Sequence, residues 1–290
     1  MNAPTRDPAL AYRRREQRLV ALLLAPAVAV IGLLLIVPLL WLAWQSIRQD
    51  GGFTLAHYTR FLTDDVYWRT FLQTFRIAFV VTVATVLLGY PVAYVAAHAS
   101  PGRRILILAM VVLPFWTSVL VRAYAWLILL QRRGLVNSLL TDLHVIDAPI
   151  VMINNEFGTV MATIHILLPF MVLPVYATMQ KIPADLVMAG ASLGGSPAHV
   201  FRRVYLPLSM PGVVAGMVLV FVLTLGFYIT PELLGGGRTY MVSMLVSRNI
   251  ELYNEWGAAS SISVVLLACV YLAFRLANRV IPFERIMGAR

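Results

Sequence analysis

Residues 190–194 read Gly-Ala-Ser-Leu-Gly, the G-x-S-x-G spacing that in many hydrolases presents a nucleophilic serine at a tight turn between a strand and a helix. A nucleophile at Ser192 needs a strand before it and acid and imidazole partners further along the chain. Here Asp185 precedes the serine, His199 follows within a few residues, and the flanking pattern is helical, so the serine lacks that context. The other histidines, His57, His98, His144 and His165, are scattered with no H-E-x-x-H pair, which argues against a metal centre. The single lysine, Lys181, follows Gln180 instead of the glycine that a phosphate-binding loop requires. Cys269 is the single cysteine, so no disulfide framework exists. The chemistry left to the chain is that of charges and aromatic rings set in apolar surroundings: Arg76, Arg122, Glu232, Trp116, Tyr124, Phe227 and Tyr228.

Those surroundings are membrane. Hydrophobic residues make up 60% of the chain, charged residues 12%, and the mean hydropathy is +0.81, outside the range of ordinary globular domains. Apolar runs of about 20 residues suffice to cross a bilayer as helices. Six such runs are present, at roughly 20–44, 72–98, 105–130, 157–180, 208–231 and 257–275. The expected fold is an all-α polytopic membrane protein of six transmembrane helices. The first run continues through Trp41 and Trp44 without a small-residue cleavage pattern and reads as a retained helix, not a signal peptide. The expected organisation is a basic tail at 1–19, one membrane domain over 20–280 and a short tail at 281–290.

An even number of spans puts both termini on one side, and the basic residues say which. Arg6, Arg13, Arg14, Arg15, Arg18, Arg103, Arg104, Lys181, Arg202, Arg203, Arg275, Arg279, Arg285 and Arg290 fall in the segments that share a side with the termini, against Asp7, Glu16, Asp185 and Glu284. Arginine and lysine are retained in cytoplasmic segments, so both termini and the loop at 181–207 are expected in the cytoplasm. The formal charge of +10 is thus mainly a topology signal. Nucleic acid is not an expected partner, because these arginines are split among separate membrane-flanking segments.

The loop at 181–207 has helical content of its own. Pro183 and Asp185 suit a helix start, after which Leu186, Ala189, Gly190 and Leu193 share a face; Gly194 and Gly195 stop that helix. Ser196 and Pro197 then make an N-cap and a first helical position, with Val200, Phe201 and Val204 as an apolar stripe before Pro207, where the second helix is expected to end. Such a hairpin suits insertion into a groove on another protein, or packing on its own bundle.

The spacing within this hairpin resembles the coupling loop of ABC importer permeases, whose usual form is E-A-A, three residues, Gly, nine residues, then I-x-L-P. Met188, Ala189 and Gly190 stand at the first three positions, Ser192 and Leu193 precede Gly194, and Val204, Leu206 and Pro207 fill the closing motif. Met188 replaces the family's glutamate and Gly190 its second alanine, which removes a charged contact expected to help dock the ATPase. The resemblance covers roughly residues 20–280 and is closest to spermidine/putrescine-type permeases, through LPFWTSVLVRAYAW at 113–126, HILLPFMVLPVYATMQKIPADL at 165–186 and LGFYITPELLGGG at 225–237. It implies the type I ABC importer permease fold in a bacterial inner membrane. It also implies a cytoplasmic ATPase dimer, a second permease subunit that is a paralogue, and a periplasmic solute-binding protein. Cofactors are then none in this chain, with ATP and magnesium on the partner ATPase.

For the solute path, Glu232 suits an ammonium group and Trp116, Tyr124, Phe227 and Tyr228 suit cation-π contacts. Arg76 and Arg122 are expected to snorkel to the interface from outer helix ends. Prolines recur in five spans, at Pro26, Pro38, Pro91, Pro114, Pro169, Pro174 and Pro211, as either bending points or static kinks. A related solute such as an opine or an amino-acid-like molecule is the alternative within this class. A secondary transporter would need coupling-ion carboxylates near the midplane, and an intramembrane enzyme a catalytic constellation at depth, and the spans offer neither.

Overall fold

The computed structural model describes residues 8–49 and 52–280, so the tail at 281–290 and residues 1–7 lie outside the described residues. Apart from a short antiparallel ribbon, β1 (Arg48–Gln49) with β2 (Gly52–Phe53), the elements among the described residues are helical. Three long helices form the centre: α3 (Asp65–His98), α7 (Glu156–Met179) and α10 (Leu206–Leu225). Their core is a continuous apolar cluster that includes Ile77 and Val81 of α3, Leu167, Met171 and Val175 of α7, and Val220 of α10. Glycine lets the three approach closely at one level, because a Cβ built at Gly89 of α3 would lie 2.9 Å from Met171 Cγ and one at Gly216 of α10 would lie 2.7 Å from Met171 Sδ. Buried hydroxyls close their hydrogen bonds on their own helices, as Thr74 donates to the Thr70 carbonyl and Thr82 to that of Ala78.

The peripheral spans are α1 (Pro8–Ser46) and α13 (Trp256–Val280), which pack on each other with Trp41 edge-on to Trp256 at 5.9 Å. Leu22–Ser46 buries none of its most apolar window, as a lipid-facing helix requires. At the ribbon end, α2 (Ala56–Thr63) and α12 (Val242–Glu251) cap α3 and α13, and the Arg60 guanidinium holds the Glu255 carboxylate at 2.5 Å. That hydrogen-bonded pairing keeps the Glu255 carboxyl below the usual carboxylate range.

Among the described residues five helices are long and apolar enough to cross a membrane, and the count reaches six when one bent pair is taken as a single span. That pair corrects the expectation of a continuous helix over 105–130. The chain instead forms α4 (Pro101–Val112), a 3₁₀ turn (Leu113–Trp116) and α5 (Val119–Leu129), bent by 102°. Pro114 has no N–H to donate, Thr117 is extended with ψ near 149°, and Ser118 starts α5 by accepting the Leu120 N–H. The fifth span also ends earlier than expected. α10 stops at Leu225, the chain turns at Gly226–Tyr228, and α11 (Ile229–Leu234) is a separate short helix that carries Glu232.

Candidate functional site

The hairpin is held to the bundle at both ends. Gln180, which caps α7, donates from its amide to the Ala97 carbonyl near the end of α3. Helix α8 (Ala184–Ser192) carries Asp185 in its first turn, where a carboxylate favours the helix dipole. It turns Val187 towards the core. Gly190 faces the next helix, where a Cβ would stand 3.4 Å from the Val200 methyls and 3.6 Å from Val204. Leu186, Met188 and Leu193 point outwards, and Leu193 is 89% exposed. The turn needs a left-handed residue and has one: Gly194 sits at φ +83°, and the Gly195 N–H reaches back to the Gly190 carbonyl at 3.2 Å. Ser196 then caps α9 (Pro197–Val200) by accepting the His199 N–H.

Two expectations about this hairpin change. Gly190 does not share the outward face of Leu186 and Leu193 but packs inwards, where even a Cβ would meet Val200 and Val204 only at ordinary contact distance. Pro207 does not end the second helix. The chain passes from α9 through a π-turn (Phe201–Tyr205) into α10 as one 29-residue span, Pro197–Leu225. The wider turn absorbs the hydrogen bond that Pro207 cannot make.

At the ribbon end, α11 lies against α5 and α7, and Thr163 of α7 shares a 2.8 Å hydrogen bond with Thr230 of α11. Tyr124 and Glu232 therefore belong to elements in direct contact, and both are exposed. Phe227 packs against the central core, and its carbonyl accepts from the Ser243 hydroxyl at 2.7 Å. Tyr228 is exposed just before α11, while Trp116, 82% exposed, stands at the break between α4 and α5. No side-chain hydrogen bond or ion pair joins Trp116, Tyr124, Phe227, Tyr228 and Glu232 to one another among the described residues, though the Glu232 backbone N–H donates to the Tyr228 carbonyl at 3.1 Å.

The two arginines separate. Arg76 is exposed and pairs with Glu156 at the start of α7, as a snorkelling residue does. Arg122 does not snorkel: it is 8% exposed, with Nε and Nη1 unpartnered among the described residues. It lies one helical turn before Trp126, whose ring meets His165 of α7 edge-on at 5.7 Å. The 102° bend accounts for the burial, since it tilts α5 so that Arg122 and Ala123 face the bundle.

Ser192 is exposed at the end of α8, and no aspartate or histidine side chain is bonded to it among the described residues. Among the described residues no group of three or more His, Cys, Asp or Glu side chains is placed to hold a metal ion. What sequence reasoning missed lies beside the hairpin. Tyr90, Tyr94 and His98 recur at every fourth position of α3, and Phe201 and Tyr205 meet them from the π-turn. The i, i+4, i+8 spacing of Tyr90, Tyr94 and His98 was the available signal.

Residues 9–285 match the family of binding-protein-dependent transport system inner membrane components. The chain belongs to this family. It is a multi-pass inner-membrane permease subunit of an ABC importer, and it is non-catalytic, ATP hydrolysis being the task of a separate subunit. Among relatives, it is 33% identical over 263 residues to the spermidine/putrescine transport system permease protein PotB of Haemophilus influenzae, covering 86% of this chain and 92% of that one. It is 34% identical over 249 residues to PotB of Escherichia coli, covering 82% and 90%. The permease also shares its fold with a chain of a bacterial alginate ABC transporter solved in complex with alginate pentasaccharide-bound periplasmic protein. The TM-score is 0.69 at 18% identity, over 92% of this chain and 96% of that one.

Proposed function

We propose that the permease forms half of the membrane pathway of a polyamine importer, taking spermidine or putrescine from a periplasmic binding protein. The observation that carries this reading is the identity of about one third, over more than four fifths of both chains, to spermidine/putrescine permeases. The second half of the pathway is a paralogous permease, and two cytoplasmic ATPase subunits bind ATP and magnesium. Both termini and residues 181–207 face the cytoplasm, while residues 51–70 and 234–255 face the periplasm, as the charge asymmetry requires.

The hairpin is the docking element. Leu186, Met188 and Leu193 offer an apolar surface to a groove on the ATPase, and the left-handed turn at Gly194 allows close seating. Methionine in place of a glutamate at 188 makes this contact apolar where related loops carry a charge. At the periplasmic mouth, Glu232 attracts an ammonium group, and Trp116, Tyr124, Phe227 and Tyr228 supply ring faces along the path. The bend at Gly226–Tyr228 precedes α11 at this mouth, the bend at Thr117–Ser118 lies deeper, beside Phe115 packed on Phe170 of α7, and the two let α11 and α5 reorient as access alternates.

The test is titration of the co-purified binding protein with putrescine and spermidine, followed by uptake of the same solutes into vesicles holding the full complex. Binding and ATP-dependent uptake of a polyamine are expected. A binding protein that takes a neutral or anionic solute instead overturns the substrate assignment. Labelling of a cysteine placed at Ser196 by an impermeant reagent outside intact cells overturns the topology.

A further inference from the structure

Between the 102° bend and the start of α7 the chain climbs the wall of the bundle, and α7 measures its height. Phe115 meets Phe170 at 5.6 Å, Trp126 meets His165, and Leu130 shares an apolar cluster with Ala162. Helix α6 (Leu135–Asp142) follows and is tied to the segment that leads into α7. The Asn137 amide donates to the Ile150 carbonyl at 3.0 Å, and its oxygen accepts the Ile150 N–H at 2.9 Å. Two residues on, the Met152 carbonyl lies against Gly158 in the first turn of α7, where a Cβ would stand 2.6 Å from it. The 24 residues of α7 span about 36 Å, more than the roughly 30 Å of hydrocarbon to be crossed. Its first residue, Glu156, pairs with the exposed Arg76 and so stands at the polar boundary. Helix α6 therefore lies at the membrane–water interface, at the end of the bundle opposite the hairpin.

Three kinds of surface divide this helix. Val136 and Leu140 pack on the bundle, and Asn137, fully buried, fixes the roll of the helix by donating to the Gln131 carbonyl as well. At about 100° per residue, Ser138 and Asp142 fall on one side of that buried strip and Leu135, Leu139 and Leu143 on the other. Ser138 and Asp142 are exposed, and each of the three leucines is half or more exposed. A helix with protein along one side, a hydroxyl and a carboxylate on the second and leucine on the third is divided as a boundary between water and acyl chains requires. Immediately before it stand Arg132 and Arg133, both exposed and in no ion pair among the described residues. By the charge asymmetry these two belong to the side where arginine is least retained, so a local attraction is needed to account for them.

We propose that α6 is a lipid anchor: Leu135, Leu139 and Leu143 enter the acyl-chain boundary of the leaflet opposite the hairpin, and Arg132 and Arg133 hold the phosphate groups of its anionic lipids. Interfacial helices seat their apolar side roughly 5–10 Å into that boundary, and arginine beside them reaches back to the headgroups. The anchor acts on the broken span. Helix α5 has 11 residues, too few to cross the bilayer by itself, and α6 fixes its far end at the interface. The assignment is independent of the solute carried and of how the hairpin docks.

The experiment uses the assembled complex in lipid nanodiscs, with Cys269→Ser and a spin label on a single new cysteine, Leu139→Cys or Asp142→Cys; Leu135→Cys repeats the reading of the apolar side at a second exposed position. Relaxation of each label by oxygen, which concentrates among acyl chains, is compared with relaxation by a water-soluble nickel chelate. Oxygen is expected to dominate at 139 and 135 and the chelate at 142, a reversal within one turn of helix. Adding phosphatidylglycerol to phosphatidylcholine nanodiscs is expected to shift the 139 label further towards oxygen in the parent, and Arg132→Gln with Arg133→Gln to abolish that shift. A 139 label that the chelate reaches as freely as it reaches 142 overturns the proposal and leaves the leucines open to water. A label shielded from both reagents overturns it in favour of a protein cover, the second permease if the shielding is constant and the solute-binding protein if it appears only on that protein's addition. A response to phosphatidylglycerol that is absent from the parent, or that survives in the double glutamine variant, overturns the assignment of the arginines.

Discussion

The tripeptide Leu-Pro-Phe occurs twice in the membrane domain, with opposite results. At 113–115 it breaks a span by 102°, and at 168–170 it passes through α7 without interrupting the helix. Both prolines lack the same N–H, so the difference lies in their neighbours. Leu113 and Phe115 are exposed, and the chain continues into Thr117 and Ser118, which offer local bonds: the Thr117 hydroxyl donates to the Pro114 carbonyl at 2.7 Å, and Ser118 caps α5. Pro169 is buried between Leu167 and Met171, with α3 and α10 pressing on either side and no hydroxyl following it to stabilise a turn. A proline therefore breaks a membrane helix where polar residues accept the freed backbone and packing is open. It is overruled where three helices interlock.

Loosening the interlock is expected to have the largest effect. In Gly216→Val the new side chain would collide with Met171, so α10 and α7 must separate beside Pro169, and overpacking costs about 3 kcal/mol or more at such a contact. The expected result is loss of monodisperse complex in detergent and of uptake. A variant that assembles and transports normally would mean that helix contact does not protect Pro169.

Next in size is the contrast between the prolines. Pro114→Ala restores a donor at the open break and is expected to straighten α4 onto α5, lowering uptake about tenfold, the effect of roughly 1.4 kcal/mol on the balance of bent and straight forms. Pro169→Ala is expected to raise the melting temperature and leave uptake within about twofold, since α7 is already helical. Equal losses in both variants would break the comparison. Glu232→Gln, beside the second break, is expected to lower polyamine uptake about fivefold, on the order of 1 kcal/mol, while leaving ATPase assembly intact. Unchanged uptake at low and high salt would remove Glu232 from the path.

The smallest effect is electrostatic. Because Arg60 lowers the Glu255 carboxyl, the pair stabilises the ribbon end above the unfolded glutamate range, near ~4.3. That contribution is lost as pH falls through the lower folded value. Both side chains are about 40% exposed, so no more than ~1 kcal/mol is at stake. Glu255→Gln should lower the melting temperature slightly at neutral pH and flatten its fall in acid; identical acid profiles would show the pair to be idle.

The positions of the spans were legible because membrane helices announce themselves by uninterrupted apolar length. The hairpin tip was legible because Gly194, Ser196 and Pro197 each have a strong local preference. The break at Thr117–Ser118 was not, since identical Leu-Pro-Phe runs behave differently and only the packing around them decides. Nor was the burial of Arg122, which depends on the angle of α5 after that break. Continuity through Pro207 required a π-turn, whose signal lies in the fit of Phe201 and Tyr205 against α3 and not in their identities. The path residues were chosen by chemistry, and the structure puts Tyr124 and Glu232 on touching elements while leaving Trp116 at a separate break.

The pairing of α1 with α13 has a consequence for biogenesis. Trp41 is made early and Trp256 near the end, so at translation rates of roughly 5–20 residues per second the first helix waits on the order of 10–40 s for the ring it packs against. During that interval lipid is its surroundings, and no contact with α13 can correct its orientation. Its direction in the membrane must be decided by the arginines at its N-terminal end, Arg13, Arg14, Arg15 and Arg18, long before the fold exists to reward the choice.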